Sequence, residues 1–367
     1  MLMDLFTLKH ALRYRGIQLL DPWVARWMDL KKAFLHDPSS YQRYEDDPPV
    51  GTLFVDNTNI CKARCVFCAY PYINEKDKGT LPLRLFQQVV DEYAAMGGKV
   101  VSLSPTVGDP LVDPGLIDKL RYAVQSPGIE KVNIYTNGIL LGHKEVYKEL
   151  VHSGVSALCI STAGMDRQMF EDVFKVKKYE ELREGLRALI QYNRDQGEPL
   201  FIRMKFRPSR PPAHVISSPD FQEIIRPYLS VKLDVQFKPV FDNWGGSAGT
   251  DWMVGSMKLM KGLKQRRVPC YRTFDLSVLI DGSIRLCGCR IKDTAWDELV
   301  IGRLGERSLL EIYRSEKCRE VRRRFVEGRH PKACRDCSMY EPVTGFALRG
   351  TSGRGAGRVV LDRRHES

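Results

Sequence analysis

Between residues 51 and 240, six short runs rich in β-branched and aromatic residues alternate with five amphipathic stretches. This alternation constrains the fold more than any other feature. The strand-like runs are 53–56, 100–104, 131–135, 157–161, 201–206 and 233–240. Helical periodicity covers 83–95, 115–123, 144–151, 179–192 and 220–228. Strands separated by helices of this length form βαβ units and a parallel sheet. Right-handed crossovers curl six such strands into an open, partial, TIM-like (β/α)6 barrel of the α/β class. In barrels of this kind the chemistry sits at the C-terminal ends of the strands.

Four segments are expected. Residues 1–50 read as an N-terminal helical extension ending at Asp46-Asp47-Pro48-Pro49, and 51–255 as the barrel. The rhythm then stops. Residues 256–345 hold a hairpin, with 274–280 and 283–286 flanking Asp281-Gly282, and a helix at 308–327. The stretch 346–367, rich in Gly, Arg and Ser, reads as a flexible basic tail. With 43% hydrophobic residues the chain has material for a large core. No apolar run approaches the roughly 20 residues of a membrane helix. The opening Met1-Leu2-Met3-Asp4-Leu5-Phe6 lacks signal-peptide features, so a cytoplasmic protein is expected. The formal charge of +12 is spread along the chain and reads as a solvated basic surface. Nucleic acid is not an expected partner. An acidic electron donor such as flavodoxin or ferredoxin is the weaker alternative for the charge.

Ten cysteines in a reducing compartment point to metal or redox work. Eight fall into two groups, leaving out Cys159 and Cys318, which read as packed core thiols. The first group is Cys61-Lys62-Ala63-Arg64-Cys65-Val66-Phe67-Cys68, directly after the first strand. Three thiolates in one loop can hold an iron–sulfur cube and leave one iron open to a small molecule. A zinc site would usually show four Cys or His ligands in two pairs, and no His lies near this loop.

The C-x3-C-x2-C pattern, with an aromatic before its last cysteine, closely resembles the signature of the radical S-adenosylmethionine (SAM) superfamily. The resemblance implies that Cys61, Cys65 and Cys68 hold a [4Fe-4S] cluster whose open iron binds SAM. It further implies reductive cleavage of SAM to a 5′-deoxyadenosyl radical that abstracts hydrogen from a substrate. Other segments fit in order along the barrel. Ser104-Pro105-Thr106-Val107-Gly108-Asp109-Pro110 resembles the family's Gly-Gly-Glu-Pro motif at the SAM amino group, with Val107 and Asp109 as departures. Tyr135-Thr136-Asn137-Gly138 and Ser161-Thr162-Ala163-Gly164 resemble the segments near the nucleoside and ribose. The cofactor-site residues implied are Phe67, Gly108, Asp109, Asn137, Ser161 and Lys205. Arg203 and Lys205 are assigned opposite facings, with Lys205 toward the SAM carboxylate and a surface salt bridge as the alternative.

The second group pairs Cys270 and Cys287 with the distant Cys334-Arg335-Asp336-Cys337. It resembles the SPASM/twitch extension, the shorter twitch form matching best because no cysteine follows Cys337. That implies an auxiliary [4Fe-4S] cluster on Cys270, Cys287, Cys334 and Cys337; spacing alone leaves structural zinc as the alternative. Cys289 is surplus and reads as a bystander, an alternative ligand or a hydrogen donor to a substrate radical. The loop Asp242-Asn243-Trp244 sits where a substrate would be met. Twitch-type relatives include an aminocyclitol dehydrogenase. The expected reaction is therefore oxidation, epimerisation or dehydration of a sugar, aminocyclitol or related metabolite. Peptide maturation is the alternative, followed by tRNA modification; a non-enzymatic zinc or electron-carrier protein would explain the thiols but not the open iron.

Overall fold

The computed structural model describes residue 45 and residues 48–263, 266–288 and 298–343. Nearly all of the expected N-terminal extension, the basic tail and Cys289 lie outside the described residues. The barrel strands are β1 (Leu53–Val55), β2 (Val100–Leu103), β3 (Lys131–Thr136), β4 (Ala157–Thr162), β5 (Ile202–Phe206) and β6 (Leu233–Phe237). Each pairs in parallel with the next. The helices between them are α1 (Leu83–Ala95), α2 (Leu116–Gln125), α3 (Val146–His152), α4 (Arg167–Phe174), α5 (Tyr179–Asp195) and α6 (Pro212–Ser217). This is the partial barrel expected from the rhythm.

Two details differ. The short helices α4 and α6 were not foreseen. Asp166 begins α4 by accepting a hydrogen bond from Met169 N at 2.8 Å, an N-cap that the sequence does display. The expected helix over 220–228 is instead a π-turn, Phe221–Ile225, followed by a 3-10 turn, Arg226–Tyr228. Pro227 has no N–H to continue the α pattern.

The two faces of the sheet are chemically distinct because side chains alternate along a strand. Val101, Leu103, Ile134, Leu158, Ile160, Ile202, Met204 and Phe206 are fully buried on the face that the helices cover. The other face carries Tyr135, Ser161, Arg203, Lys205, Asp234 and Gln236, each half-buried. Arg203 and Lys205 therefore share a face. Their assignment to opposite faces is corrected by the period of two: residues two apart in a strand point the same way.

After the barrel come the short parallel pair β7 (Val240–Phe241) and β8 (Lys258–Leu259). Then β9 (Leu276–Val278), β10 (Ser283–Arg285) and β11 (Val300–Arg303) form an antiparallel unit. This unit continues the barrel sheet, because β9 pairs in parallel with β1. The result is one nine-stranded sheet in the order β11-β10-β9-β1-β2-β3-β4-β5-β6. The helix expected over 308–327 is two, α7 (Leu309–Tyr313) and α8 (Glu316–Val326). Ser308 and Ser315 each cap one of them, so the second serine restarts the helix. The last helix among the described residues, α9 (Lys332–Arg335), holds Cys334.

One ion pair is sealed beneath the rim of the barrel. Lys119 Nζ lies 2.6 Å from Asp113 Oδ2, with both side chains 2% exposed. Asp113 also accepts from Asn57 Nδ2 and Gly115 N, each at 2.9 Å. Removing one partner strands the other charge away from water. Lys119→Ala should therefore lower unfolding stability by about 3–5 kcal/mol, read from urea denaturation.

Candidate active site

The loop after β1 is built by buried polar side chains before any cysteine is reached. Asp56 Oδ1 accepts from Thr106 N at 2.7 Å, which ties the exits of β1 and β2 together. Asn59 Oδ1 accepts from Gly79 N at 2.8 Å, and its Nδ2 donates to Asp77 O at 2.7 Å. Farther along, Arg64 N and Val66 N donate to Phe174 O and Val173 O, which pins the cysteine loop to the end of α4. Gly108 has φ of +121°, and a Cβ there would lie 2.5 Å from Thr58 O. Only glycine allows the two loops to pass this closely.

Cys61, Cys65 and Cys68 are half-buried in this loop. N–H groups aim at two of the sulfurs: Ala63 N and Asn137 Nδ2 at Cys61, and Tyr70 N at Cys68, each at 3.4 Å. Burial pushes the Cys61 thiol up to about 12, with the Asp109 charge adding to it. Burial raises Cys65 well above the ordinary thiol value, and charge on Cys68 and Cys61 raises it further. Burial likewise raises Cys68 to about 11. The thiols thus feel one another's charge, as convergent ligands do. Among the described residues, no three His, Cys, Asp or Glu side chains are gathered around one point as the shell of a single metal ion. An iron–sulfur cube is a larger object, and three sulfurs in one loop, two of them with N–H donors aimed at them, fit it.

Arg207, just beyond β5, is the residue the sequence reading missed. Its Nε donates to Ser161 Oγ at 2.9 Å. Its guanidinium lies 5.1 Å from the Phe67 ring centroid and 5.5 Å from that of Phe241. Burial draws Arg207 below its ordinary value, while Asp242, Cys65 and Cys68 act in the opposite sense. It is therefore the cation that faces the thiol loop. The available signal was its place two residues past Lys205, which puts it on the same face and nearer the C-terminal rim. Lys205 lies deeper, with Nζ 3.2 Å from Tyr135 OH and 4.4 Å from that ring's centroid.

Asp109 is 2% exposed, and its carboxylate is occupied by protein donors. It accepts from Leu111 N at 3.0 Å, Thr136 Oγ1 at 2.9 Å and Asn137 N at 2.6 Å. Burial nevertheless raises its pKa from the usual carboxylate value. The role visible here is to cap the turn Pro110–Val112 and hold Asn137 against Cys61.

The second cysteine group meets at one cavity with about 400 Å³ of empty space, part of it open to solvent. Cys270, Cys287, Cys334 and Cys337 all line it, together with Arg272 and Tyr340. Burial pushes Cys270 up to about 12, and charge on Cys287 adds to the effect. Four thiols on one apolar cavity fit a fully ligated cluster. Two further thiols belong to neither group: Cys318 on α8 is buried in the hydrophobic core, and Cys159 on β4 is buried on the inner face of the barrel beside Tyr135.

The loop after β7 links the two cysteine sites. Asn243 N donates to Ser338 Oγ, Asn243 Oδ1 accepts from Ser338 N, and Asn243 Nδ2 donates to Asp336 O, at 2.9, 2.9 and 2.6 Å. Its polar atoms are thus bound to the Cys334–Cys337 loop, not presented to a substrate. Trp244 donates its indole N–H to Phe67 O at 2.8 Å, inside the first cysteine loop. Trp244 takes a left-handed backbone, φ +48°, and Gly245 passes so close to Ala333 that a Cβ would lie 2.7 Å from its carbonyl. Asp242 is half-buried; burial raises its pKa while Arg207 opposes the rise. Asn243→Ala removes two side-chain anchors of the Cys334–Cys337 loop. It should speed amide hydrogen exchange at Ser338 by at least about tenfold while leaving β3 and β4 unchanged.

Comparison with known proteins agrees with this geometry. Residues 57–203 match the radical SAM superfamily, and residues 270–338 match SPASM, an iron–sulfur cluster-binding domain. Among curated proteins, GTP 3′,8-cyclase of Clostridium perfringens (strain 13 / Type A) is 31% identical over 144 residues, 38% of this chain and 43% of that protein. The Aeromonas hydrophila protein of the same name is 30% identical over 139 residues, 36% of this chain and 40% of that one. The chain thus aligns with less than half the length of these relatives. Among solved structures, BtrN in complex with AdoMet and 2-DOIA shares the fold with a TM-score of 0.52 at 16% identity, over 79% of this chain and 94% of that one. Streptococcus suis SuiB bound to precursor peptide SuiA gives 0.54 at 12% identity, over 82% and 73%. The chain carries a radical SAM domain, which implies a SAM-binding [4Fe-4S] cluster, and a C-terminal SPASM-type domain, which implies an auxiliary iron–sulfur cluster.

Proposed function

We propose that this enzyme removes a hydrogen atom from a small hydroxylated metabolite, with Cys61, Cys65 and Cys68 holding the catalytic cluster. Net oxidation, epimerisation or dehydration would follow. When bound, that cluster supplies the electron that splits SAM and so generates the radical which attacks the substrate. The chain's own groups serve to orient and shield. Arg207 is placed to take the SAM carboxylate, since it is the cation beside Cys65 and Cys68. Asn137 and the N–H groups of Ala63 and Tyr70 donate toward the sulfurs. Asp109 positions Asn137 through its backbone. Phe67, Phe241 and Trp244 keep water from the loop.

Cys270, Cys287, Cys334 and Cys337 would hold the auxiliary cluster. Four thiolates leave no iron open to a ligand, which would suit taking up the electron that a substrate radical loses when hydrogen abstraction ends in oxidation. The observation that carries the reading is the three-thiol loop at the exit of β1, set above a polar, half-buried barrel interior. The polar side chains on that face, Tyr135, Ser161, Lys205 and Gln236, can hydrogen-bond a metabolite with hydroxyl groups. The curated relatives bear the name of an enzyme acting on GTP, itself a hydroxylated small molecule, though the aligned share is under half of their length. An electron donor such as flavodoxin or ferredoxin belongs to the same proposal, and a precursor-peptide gene beside this one would favour peptide maturation instead.

Two measurements test it. Protein purified and reconstituted without oxygen should hold about eight irons per chain, against about four if only one site takes a cluster. Cys65→Ala should abolish dithionite-driven formation of 5′-deoxyadenosine and leave about four irons in place. Undiminished 5′-deoxyadenosine from that variant would overturn the proposal.

A further inference from the structure

The inner face of the sheet is strongly basic, and its register shows where the charges stand. Tyr135, Cys159, Arg203 and Asp234 form one cross-strand row on β3 to β6. Ser161, Lys205 and Gln236 form the next row toward the thiol loop. Arg207 stands beyond it, beside Cys65 and Cys68. Lys238 follows β6 closely enough for its charge to act on Lys205. From the other side, Arg272 lines the auxiliary cavity, and its charge is felt at Tyr135. The interior between the two cysteine sites is thus ringed by cations.

Most of these cations have a visible counter-charge. Arg203 Nε lies 2.9 Å from Asp234, and Arg272 lies 3.3 Å from Asp275. Arg207 faces Asp242. Lys205 differs: its hydrogen bond goes to the neutral Tyr135 hydroxyl. Among the described residues no carboxylate stands within ion-pair distance of it. Burial draws its pKa down to about 8; the Cys159 thiol, next to Tyr135 in the row below, opposes the fall, and Lys238, Arg203 and Arg207 add to it. A half-buried ammonium among like charges is costly, and an arriving anion removes that cost. An amine-bearing ligand would add one more cation and be repelled.

We propose that Lys205 and Tyr135 form a subsite for an anionic group, carboxylate or phosphate, on the substrate, so that the enzyme selects an acidic or phosphorylated metabolite and rejects aminocyclitols. This rests on the proposed function and narrows it. Carboxylate and phosphate make the same charge-assisted bonds to an ammonium and a phenol hydroxyl.

The test uses the full chain, reconstituted with both clusters, in the presence of SAM. Titration calorimetry follows binding of pyrophosphate, malonate and a diaminocyclitol. At least one anion should bind, and the diaminocyclitol should not. Pyrophosphate alone identifies a phosphate, malonate alone a carboxylate, and binding of both supports the anion subsite without choosing. Lys205→Met should weaken the anion at least about tenfold, and Lys205→Arg should restore most of the affinity. Binding of neither anion, anion binding indifferent to Lys205→Met, or binding of the diaminocyclitol would each overturn the proposal. A measurement on the unmutated chain guards against a variant that does not fold. The anion should slow reductive methylation of Lys205, mapped by mass spectrometry, at least about fivefold, and absence of protection would count against the subsite. Cleavage of SAM by the same unmutated sample separates the two ideas: its failure sinks the proposed function, whereas cleavage without anion binding sinks the subsite alone.

Discussion

The functional end of the molecule hangs from one short strand. β1 has only three residues, yet it is hydrogen-bonded in parallel to β2 on one side and to β9 on the other. The first cysteine loop leaves directly from its end, and the hairpin leading to Cys287 is laid against its flank. Bonds around the strand reinforce it: Thr52 N donates to Asp275 Oδ1 and Asp56 N to Val278 O. A central strand in a parallel sheet has no unpaired backbone to spare. The loop of Cys61, Cys65 and Cys68 and the hairpin leading to Cys287 are therefore anchored on the same ladder.

A second link joins the two sites at the barrel mouth. Asn243 grips the loop of Cys337 while Trp244, next in sequence, grips the carbonyl of Phe67 beside Cys68. The left-handed backbone at Trp244 and the close approach of Gly245 to Ala333 show how tightly this loop is drawn. Strain of this kind persists only where the surroundings over-determine it. Here the surroundings are the two thiol loops, which makes this segment a brace between them. The same rim gathers Arg207, Ser161 and Asp242, so its electrostatics and its geometry are set together.

Much of the site was legible in the chain. The thiol spacing singled out Cys61, Cys65 and Cys68, and Cys270, Cys287, Cys334 and Cys337 stood out although 47 positions separate Cys287 from Cys334. The strand rhythm placed Asp109, Asn137 and Ser161 at successive strand exits. Less legible was what each side chain touches. Asp109 read as a ligand for an ammonium, and in the fold its carboxylate is occupied by Thr136, Asn137 and Leu111. Asn243 read as a substrate contact, and its amide is bound to residues 93 and 95 positions away. Arg207 went unnoticed because one cation among many has no pattern until its neighbours are known.

By itself, the sequence determined the alternation that makes a parallel barrel and the two thiol sets. These are local properties: periodicity and spacing. Only the tertiary structure decided that the C-terminal hairpin joins the barrel sheet, that Arg207 and not Lys205 faces the thiol loop, and that Lys205 is left among cations. Such outcomes depend on pairing between distant strands and on which charges then fall within a few ångströms. Electrostatic energy follows distance in space, and no spacing along the chain encodes that.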